Sequence, residues 1–504
     1  MPNTSNVTQL LADSRLAFLN QQNDVALNLA NKAIKLQNSN ADAYKCAGNA
    51  LMSLERYDEA IKCYSLAVKY DASNGNRYYD LGFALATNEK LADAIKNLAK
   101  ADELGCIPEN AIQMYNLLGI ICFDIGRYDD ALINLSKAEQ LIGANLDILQ
   151  RKAIIYGIKN DIRNGLNIAN QIKLIAPSEY MGYKLAFKLL VQAKRLDKAK
   201  IELQKAAKYA TPTMDFYFDQ MTYELEIYKI DNDKSHFHKS LEIIDTALKN
   251  IEPEFTSVVE SYINAAEIYL QLENADKTLE CLSAAQSPVS AYNNGFAIID
   301  ETLAPPAELD EYAIEEMLEA DRKKLDEEYG EYGFDELVEN AYPNEDGELQ
   351  FLTEIEEEPE EVKSEFKLDE SEQYELSIDN MDQINRLYIG AYTIKKDFEK
   401  VIEYARVLQA REGIQNTYLG KYTEANALKE MGSDDATAKY ETAIKFFRNA
   451  MIKDPTDIMA VTFRIQCYID IGNYEEAEEV CSLLTKEVKE TFLDKIEKAK
   501  SGER

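Results

Sequence analysis

Tryptophan is absent from this chain of 504 residues, and histidine occurs only twice. Proline (11) and glycine (20) are scarce. That removes the punctuation a turn-rich β protein needs and leaves helices as the expectation. No apolar run approaches bilayer-spanning length, and the first cationic side chain is Arg15. The expectation is therefore a chain with no leader or anchor, working in the cytoplasm. The seven cysteines (Cys46, Cys63, Cys106, Cys122, Cys281, Cys467, Cys481) form no CxxC pair. An odd number on helix-like stretches points to reduced, buried thiols. Cations are outnumbered, with Lys+Arg 55 against Asp+Glu 90 and a net charge of -35. Such a balance excludes unaided nucleic-acid binding and docking on anionic membranes. Hydrophobic content of 46% still supports packed cores.

Catalytic constellations are missing as well. The chain has no G-x-x-x-x-G-K-[ST] phosphate loop and no G-x-G-x-x-G fingerprint. Its two histidines lie in Ser235-His236-Phe237-His238, read as a surface loop lengthening one repeat over Ile230 to Phe237. Neither has cysteine or carboxylate partners at metal-ligand spacing. Asn344-Glu345-Asp346-Gly347 has the look of a calcium loop, but Tyr342 and Thr353 stand where the first and twelfth ligands belong. The expectation is a non-enzyme without cofactor or metal.

What is present is self-similarity. Tyr44, Ala47-Gly48 and Leu51 share one face of a first helix, and Ala60, Tyr64 and Ala67 mark a second. The pattern returns with Tyr78, Leu81-Gly82, Leu85, Ala94, Leu98 and Ala101. It returns again with Tyr115, Leu118-Gly119, Cys122, Ala131, Leu135 and Ala138. Small residues let helices approach closely, and larger ones at i, i+3, i+4 and i+7 fill the gaps. More degenerate copies bring the count to about eleven helical pairs.

This pattern resembles the tetratricopeptide repeat, a helix–turn–helix unit of about 34 residues. The resemblance covers about four-fifths of the chain, with tyrosine where the family usually has tryptophan. It implies an all-α fold, an α-solenoid of stacked repeats forming a right-handed superhelix, because one repeat cannot bury its own apolar face. It also implies a concave groove lined by the first helices. The groove positions of this chain are Lys45, Asn49 and Met52, then Tyr79 and Phe83, then Asn116, Ile120 and Phe123, then Gln150 and Ile154, and finally Lys184 and Lys188. Aromatic anchors interleaved with amides and lysines suit a peptide or a partner helix. Were the register shifted by one, the same residues would be core.

One subfamily, the cochaperones that hold heat-shock chaperone C-terminal tails, uses a carboxylate clamp of lysines, asparagines and arginine. Lys45 and Asn49 match its first pair. Asp80 stands where an amide is needed, and Gln113 and Leu117 replace the two cations of the third repeat. An anion at Asp80 repels a terminal carboxylate, so such tails are not expected partners.

The repeat is interrupted. Residues 300–378 hold about 30 Asp+Glu and about 5 Lys+Arg, a local balance near -25 that includes the run Glu356 to Glu361. This composition predicts a largely disordered spacer with short amphipathic helices at Tyr312 to Leu325 and Phe334 to Ala341. The expected domains are an array of about eight repeats over 7–290, the acidic insert over 291–378, and about three repeats over 379–500. The expected function is a scaffold or adaptor that binds protein, with the insert as spacer or second docking segment. Two alternatives stay open: a regulator whose insert binds a basic protein surface, and the regulatory subunit of an enzyme encoded elsewhere.

Overall fold

The computed structural model describes residues 2–252, 254–299, 314, 317–319, 366–369 and 374–502. Helices and turns account for their regular structure, and no strand occurs among them. The expectations placed on the acidic run, on Phe334 to Ala341 and on the calcium-like loop lie outside these residues; of the piece Tyr312 to Leu325 only residues 314 and 317–319 are described, and they are helical. No described helix is long and apolar enough to cross a membrane.

The chain divides into two compact units, with the boundary between Thr211 and Pro212. The first holds α1 (Pro2–Leu19), α2 (Asn23–Leu36), α3 (Ala41–Ser53), α4 (Tyr57–Tyr70), α5 (Gly75–Thr87), α6 (Leu91–Leu104), α7 (Pro108–Asp124), α8 (Tyr128–Ile142), α9 (Leu146–Ile158), α10 (Ile162–Ile175), α11 (Met181–Gln192) and α12 (Leu196–Tyr209). The second holds α13 (Met214–Asp231), α14 (Ser235–Asn250), α15 (Phe255–Gln271), α16 (Ala275–Gln286), the short α17 (Pro288–Asn293), α18 (Ile378–Ile394), α19 (Phe398–Ala410), α20 (Ile414–Glu430), α21 (Ala436–Lys453), α22 (Ile458–Asp470), α23 (Tyr474–Cys481) and the closing α24 (Lys486–Ser501). Apart from α17 and α24, these described helices form eleven consecutive pairs. Within each unit a pair packs on the next, which makes an α-solenoid.

The small residues explain the pairing. A Cβ on Gly82 would lie 2.7 Å from the Leu98 side chain, and one on Gly119 would lie 2.7 Å from Leu135. Leu98 and Leu135 are fully buried, as are Ala60, Ala94 and Ala131. In the α3–α4, α5–α6 and α7–α8 pairs the second helix thus drops a large side chain (Tyr64, Leu98, Leu135) onto a glycine of the first (Gly48, Gly82, Gly119). Asparagine and aspartate start several helices: the Asn40 side chain accepts from the Ala43 N–H, and Asn145 from Ile148. These caps satisfy orphan donors at the helix N-termini.

Each pair also turns in the same way. One residue between its helices has positive φ: Gln21, Glu55, Glu89, Gly126, Asn160, Lys194, Asn232, Glu273, Lys396, Gly432 and Gly472. In ten of these turns the next N–H reaches back five residues, as Arg56 does to the Leu51 carbonyl at 2.9 Å. This six-to-one bond across a left-handed residue is a standard helix stop. The α13–α14 turn is the exception, since Asn232 donates to Tyr228 and no five-residue bond follows.

That exception houses His236. The sequence expectation of a surface loop is wrong here: Ser235 opens helix α14, and His236 is 1% exposed. Its Nδ1 lies 2.7 Å from Glu224 Oε2 and its Nε2 lies 2.8 Å from Asp231 Oδ2. The Lys239 ammonium reaches the other Glu224 oxygen at 2.8 Å. Burial opposes the imidazolium, but the two carboxylates outweigh it and raise the His236 pKa above its ordinary value. His238, also within α14 rather than in a loop, is half-buried, with its Nδ1 3.3 Å from the Lys234 carbonyl. No cluster among the described residues could hold a metal ion.

The chain leaves the repeats after α17 and returns before α18, and both ends are tied down. The Tyr269 hydroxyl donates to the Ile298 carbonyl at 2.7 Å, and Ile298 is fully buried. On the returning strand of chain, the Asn293 side-chain amide pairs with Leu368 twice. It donates to the Leu368 carbonyl and accepts from its N–H, each at 3.0 Å. Leu368 is buried, and Tyr374 stacks on Phe255 with ring centres 4.3 Å apart. Helix α18 then packs on α15 and α16. A Cβ on Gly390 would meet Leu270 at 2.7 Å, Tyr388 donates to Gln286, and Lys395 pairs with Asp276. All seven cysteines are free thiols, five of them buried.

Candidate peptide-binding face

The first unit positions all twelve predicted groove residues on first helices. Lys45, Asn49 and Met52 are on α3, Tyr79 and Phe83 on α5, and Asn116, Ile120 and Phe123 on α7. Gln150 and Ile154 are on α9, and Lys184 and Lys188 on α11. Every one of them is half-buried or exposed, while their neighbours Ala47, Ala50, Leu81, Ala84, Leu118 and Ile121 are buried. Phe83 is 45% exposed, a large apolar surface left in water.

Four of the twelve converge. Asn49, Met52, Tyr79 and Phe83 line an open hollow of about 270 Å³ together with Phe18, Ser53, Tyr64 and Asp80. Tyr79 and Phe83 are tilted neighbours one turn apart, ring centres 6.3 Å from each other. Tyr64, from α4, donates its hydroxyl to Asn49 Oδ1 at 2.8 Å and so fixes the amide at the hollow's floor. Phe18 was not foreseen because α1 contributes through its last turn rather than through a groove position.

Asp80 sits beside this hollow with its side chain only 11% exposed. Lys45 approaches it at 2.9 Å from the preceding first helix. Burial raises the Asp80 pKa, with Lys45 opposing. The pair is internal: the ammonium that matched a clamp position already faces a carboxylate of its own chain.

The other predicted residues do not join this hollow. Phe123 meets Tyr128 edge-on, with ring centres 6.0 Å apart. Gln150 and Ile154 lie on the helix next to α11, where Lys184 is half-buried and Lys188 exposed.

The second unit holds a counterpart that the groove reading missed. An open hollow of about 360 Å³ is lined by Ile389, Thr393, Phe398, Tyr422, Asn426 and Glu430, among others from α18, α19 and α20. Here the Tyr440 hydroxyl donates to Asn426 Oδ1 at 3.2 Å, the same arrangement as Tyr64 and Asn49. Ala425-Asn426 repeats the small-residue–asparagine step of Gly48-Asn49, and that step was the available signal.

The stacked pairs, their glycine contacts and their turns define a class: helical-repeat proteins of the tetratricopeptide type. The chain contains tetratricopeptide repeats: two family models match parts of it, a "TPR repeat" model over residues 48–89 and a "Tetratricopeptide repeat" model over 436–491. No curated protein matches the chain. Among solved structures it is similar to YrrB, a TPR protein with an unusual peptide-binding site, at 24% identity and a TM-score of 0.32, covering 36% of this chain and 92% of that one. It is similar to PilF of Pseudomonas aeruginosa at 14% identity and a TM-score of 0.35, covering 44% and 99%. It is also similar to Naa15/Naa10 bound to HypK-THB, at 14% identity and a TM-score of 0.37, covering 95% of this chain and 68% of that one.

Proposed function

We propose that this protein is a non-enzymatic interaction scaffold of the cytoplasm that holds a peptide or partner helix against the first helices of its repeats. The observation that carries the reading is the α3–α5 hollow. Met52, Tyr79 and Phe83 offer apolar area there, beside an amide held in place by Tyr64. Apolar anchors with a few placed polar groups are what peptide recognition uses. The affinity scale is micromolar, about -8 kcal/mol. The test is a displayed peptide library panned on the wild-type chain. Selected peptides should lose at least tenfold in affinity for the Tyr79→Ala/Phe83→Ala variant. Equal affinity for both proteins refutes the assignment.

Heat-shock chaperone tails are not partners in this reading, because Lys45 faces Asp80 and offers little to a terminal carboxylate. The domain reading remains eight repeats, an acidic insert and three repeats. The fastening of the chain at Ile298 and Leu368 favours a second role for the acidic insert between them, as a docking segment. A basic protein bound there should dissociate steeply with salt.

A further inference from the structure

One position of the first helices behaves alike in every described pair but the first. It stands five residues before the positive-φ residue of the turn that follows. In the first unit it is Ala50, Ala84, Ile121, Ile155 and Leu189, each at most 4% exposed. The five matching residues of the second unit are at most 3% exposed. The pair before supplies the cover. Ala50 shares a core with Ala17 and Ala26, and Ala427 shares one with Val401 and Ile402. On α1 the same position is Leu16, and it is 59% exposed.

The neighbours of Leu16 follow the same rule. Two residues before the turn residue stands Leu19, 76% exposed. Its counterpart Gln192 donates to the Gly157 carbonyl at 2.9 Å and to Asn160 Oδ1 at 3.2 Å, both in the preceding pair. Nine before the turn residue stands Ala12, also exposed. Its counterpart Asp80 receives Lys45 from the preceding first helix. Ala12, Leu16 and Leu19 recur at i, i+4 and i+7, so they form one apolar stripe along α1. It is the face on which later pairs of the unit receive the one before, and among the described residues it is left in water.

We infer that this stripe docks on the same stripe of a second copy of the chain, α1 against α1, in a two-fold symmetric contact. Charge favours that occupant. Residues 2–36 carry Asp13 and Asp24 against Arg15, Lys32 and Lys35, a balance of +1, whereas the rest of the chain stands at -36. Two copies repel each other over most of their surface and meet here without that repulsion. The far end of the repeats favours it too. Helix α24 packs on α23 and buries Ile496, while Lys486, Glu490, Asp494 and Glu497 face solvent, which suits a terminal cap. Head-to-tail stacking would set the α1 stripe against those charges. Head-to-head contact matches apolar to apolar and closes at two copies. The inference goes beyond the scaffold reading. Phe18, beside Leu19, lines the α3–α5 hollow, so the pair of chains presents that hollow twice, and a partner with two binding segments gains avidity.

The test is sedimentation equilibrium on the full chain over a dilution series. The mass should approach twice that of the monomer at the concentrated end and fall on dilution. Added salt should favour the pair, because it screens the repulsion between the remaining charges. Leu16→Glu/Leu19→Glu should weaken pairing by roughly tenfold or more. Leu16→Gln/Leu19→Gln, a milder change at the same exposed positions, should weaken it in the same direction, and a thermal melt checks that both variants fold. Ile133→Glu, at a position of α8 that is 56% exposed, should leave the mass unchanged. A wild-type chain that stays monomeric at every concentration overturns the inference. So does pairing that survives both double variants, pairing lost equally in Ile133→Glu, or growth beyond two copies. None of these outcomes bears on peptide capture by Tyr79 and Phe83, so the two readings fail separately.

Discussion

Glu424 is a carboxylate buried on α20 that stays ionised because four donors converge on it. Arg406 donates twice, through Nε at 3.0 Å and Nη2 at 2.9 Å, Gln409 donates at 3.0 Å and Lys439 at 2.9 Å. Burial pushes its pKa up, but these bonds win and bring it down to about 2. A folded pKa below the unfolded value near 4.3 contributes stability that is present above that value and lost as pH falls toward 2. The wild type should therefore lose about 2–3 kcal/mol from this group between roughly pH 5 and pH 2. Glu424→Gln should flatten that part of the pH–stability curve measured by urea unfolding. His236 runs the opposite way. Its raised pKa makes its contribution complete below about 6.5, the unfolded value, and lost as pH rises through the folded one. His236→Gln should lower the melting temperature more at pH 6 than at pH 9, and equal losses at both would show that the imidazole acts only as a filler. Neither group was legible in the sequence. Glu424 is one carboxylate among 90 acidic residues, and its donors come from 15 to 18 residues away on either side. His236 was misread because the α13–α14 turn lacks the repeat's usual stop, so no register marked where the helix begins.

At the scale of the element, the repeat was legible because its signals are steric and local. Gly82 must be small because Leu98 lies on it, and the same constraint returns at Gly119 with Leu135. Gly82→Ala should cost about 1–3 kcal/mol by overpacking, measured as a shift in the urea midpoint. Replacing Leu98 by valine in the same chain should recover part of the loss. The turns carry a second constraint. Eight of the eleven left-handed turn residues are not glycine, so the turn is imposed by the pairing of the helices and not by residue preference. That is why sequence alone did not reveal it. Where glycine does stand, as at Gly126 with φ +75°, alanine should destabilise by about 1 kcal/mol through strain alone. Nothing crowds a Cβ there, so a fall of more than about 3 kcal/mol would require another cause. The predicted groove positions followed from the same periodicity. Phe18 and the α18–α20 hollow did not, because they depend on which neighbours close over a position.

Across the whole molecule, charge is segregated. About -25 lies in residues 300–378, while 151–209 stand at +9. Binding that depends on the acidic region should respond to salt within the range where screening lengths shrink to about 8 Å, whereas capture at Tyr79 and Phe83 should persist. The tether at the insert's base was beyond sequence reasoning, since Asn293 and Leu368 are 75 residues apart and no periodicity links them. Its effect is mechanical. The polypeptide departs and returns through a fastened neck, and α18 is held by α15 and α16 rather than by the covalent path between them. Continuity of the backbone and continuity of the solenoid are therefore separate things. A chain cut by a specific protease at a site engineered near residue 340 should give two fragments that elute together and melt near the uncut temperature. Asn293→Ala, which removes both bonds to the Leu368 backbone, should lower that temperature without parting the fragments, because α18 still packs on α15 and α16. The same neck makes this protein a natural split reporter, two polypeptides that assemble because their helices already know where to stack.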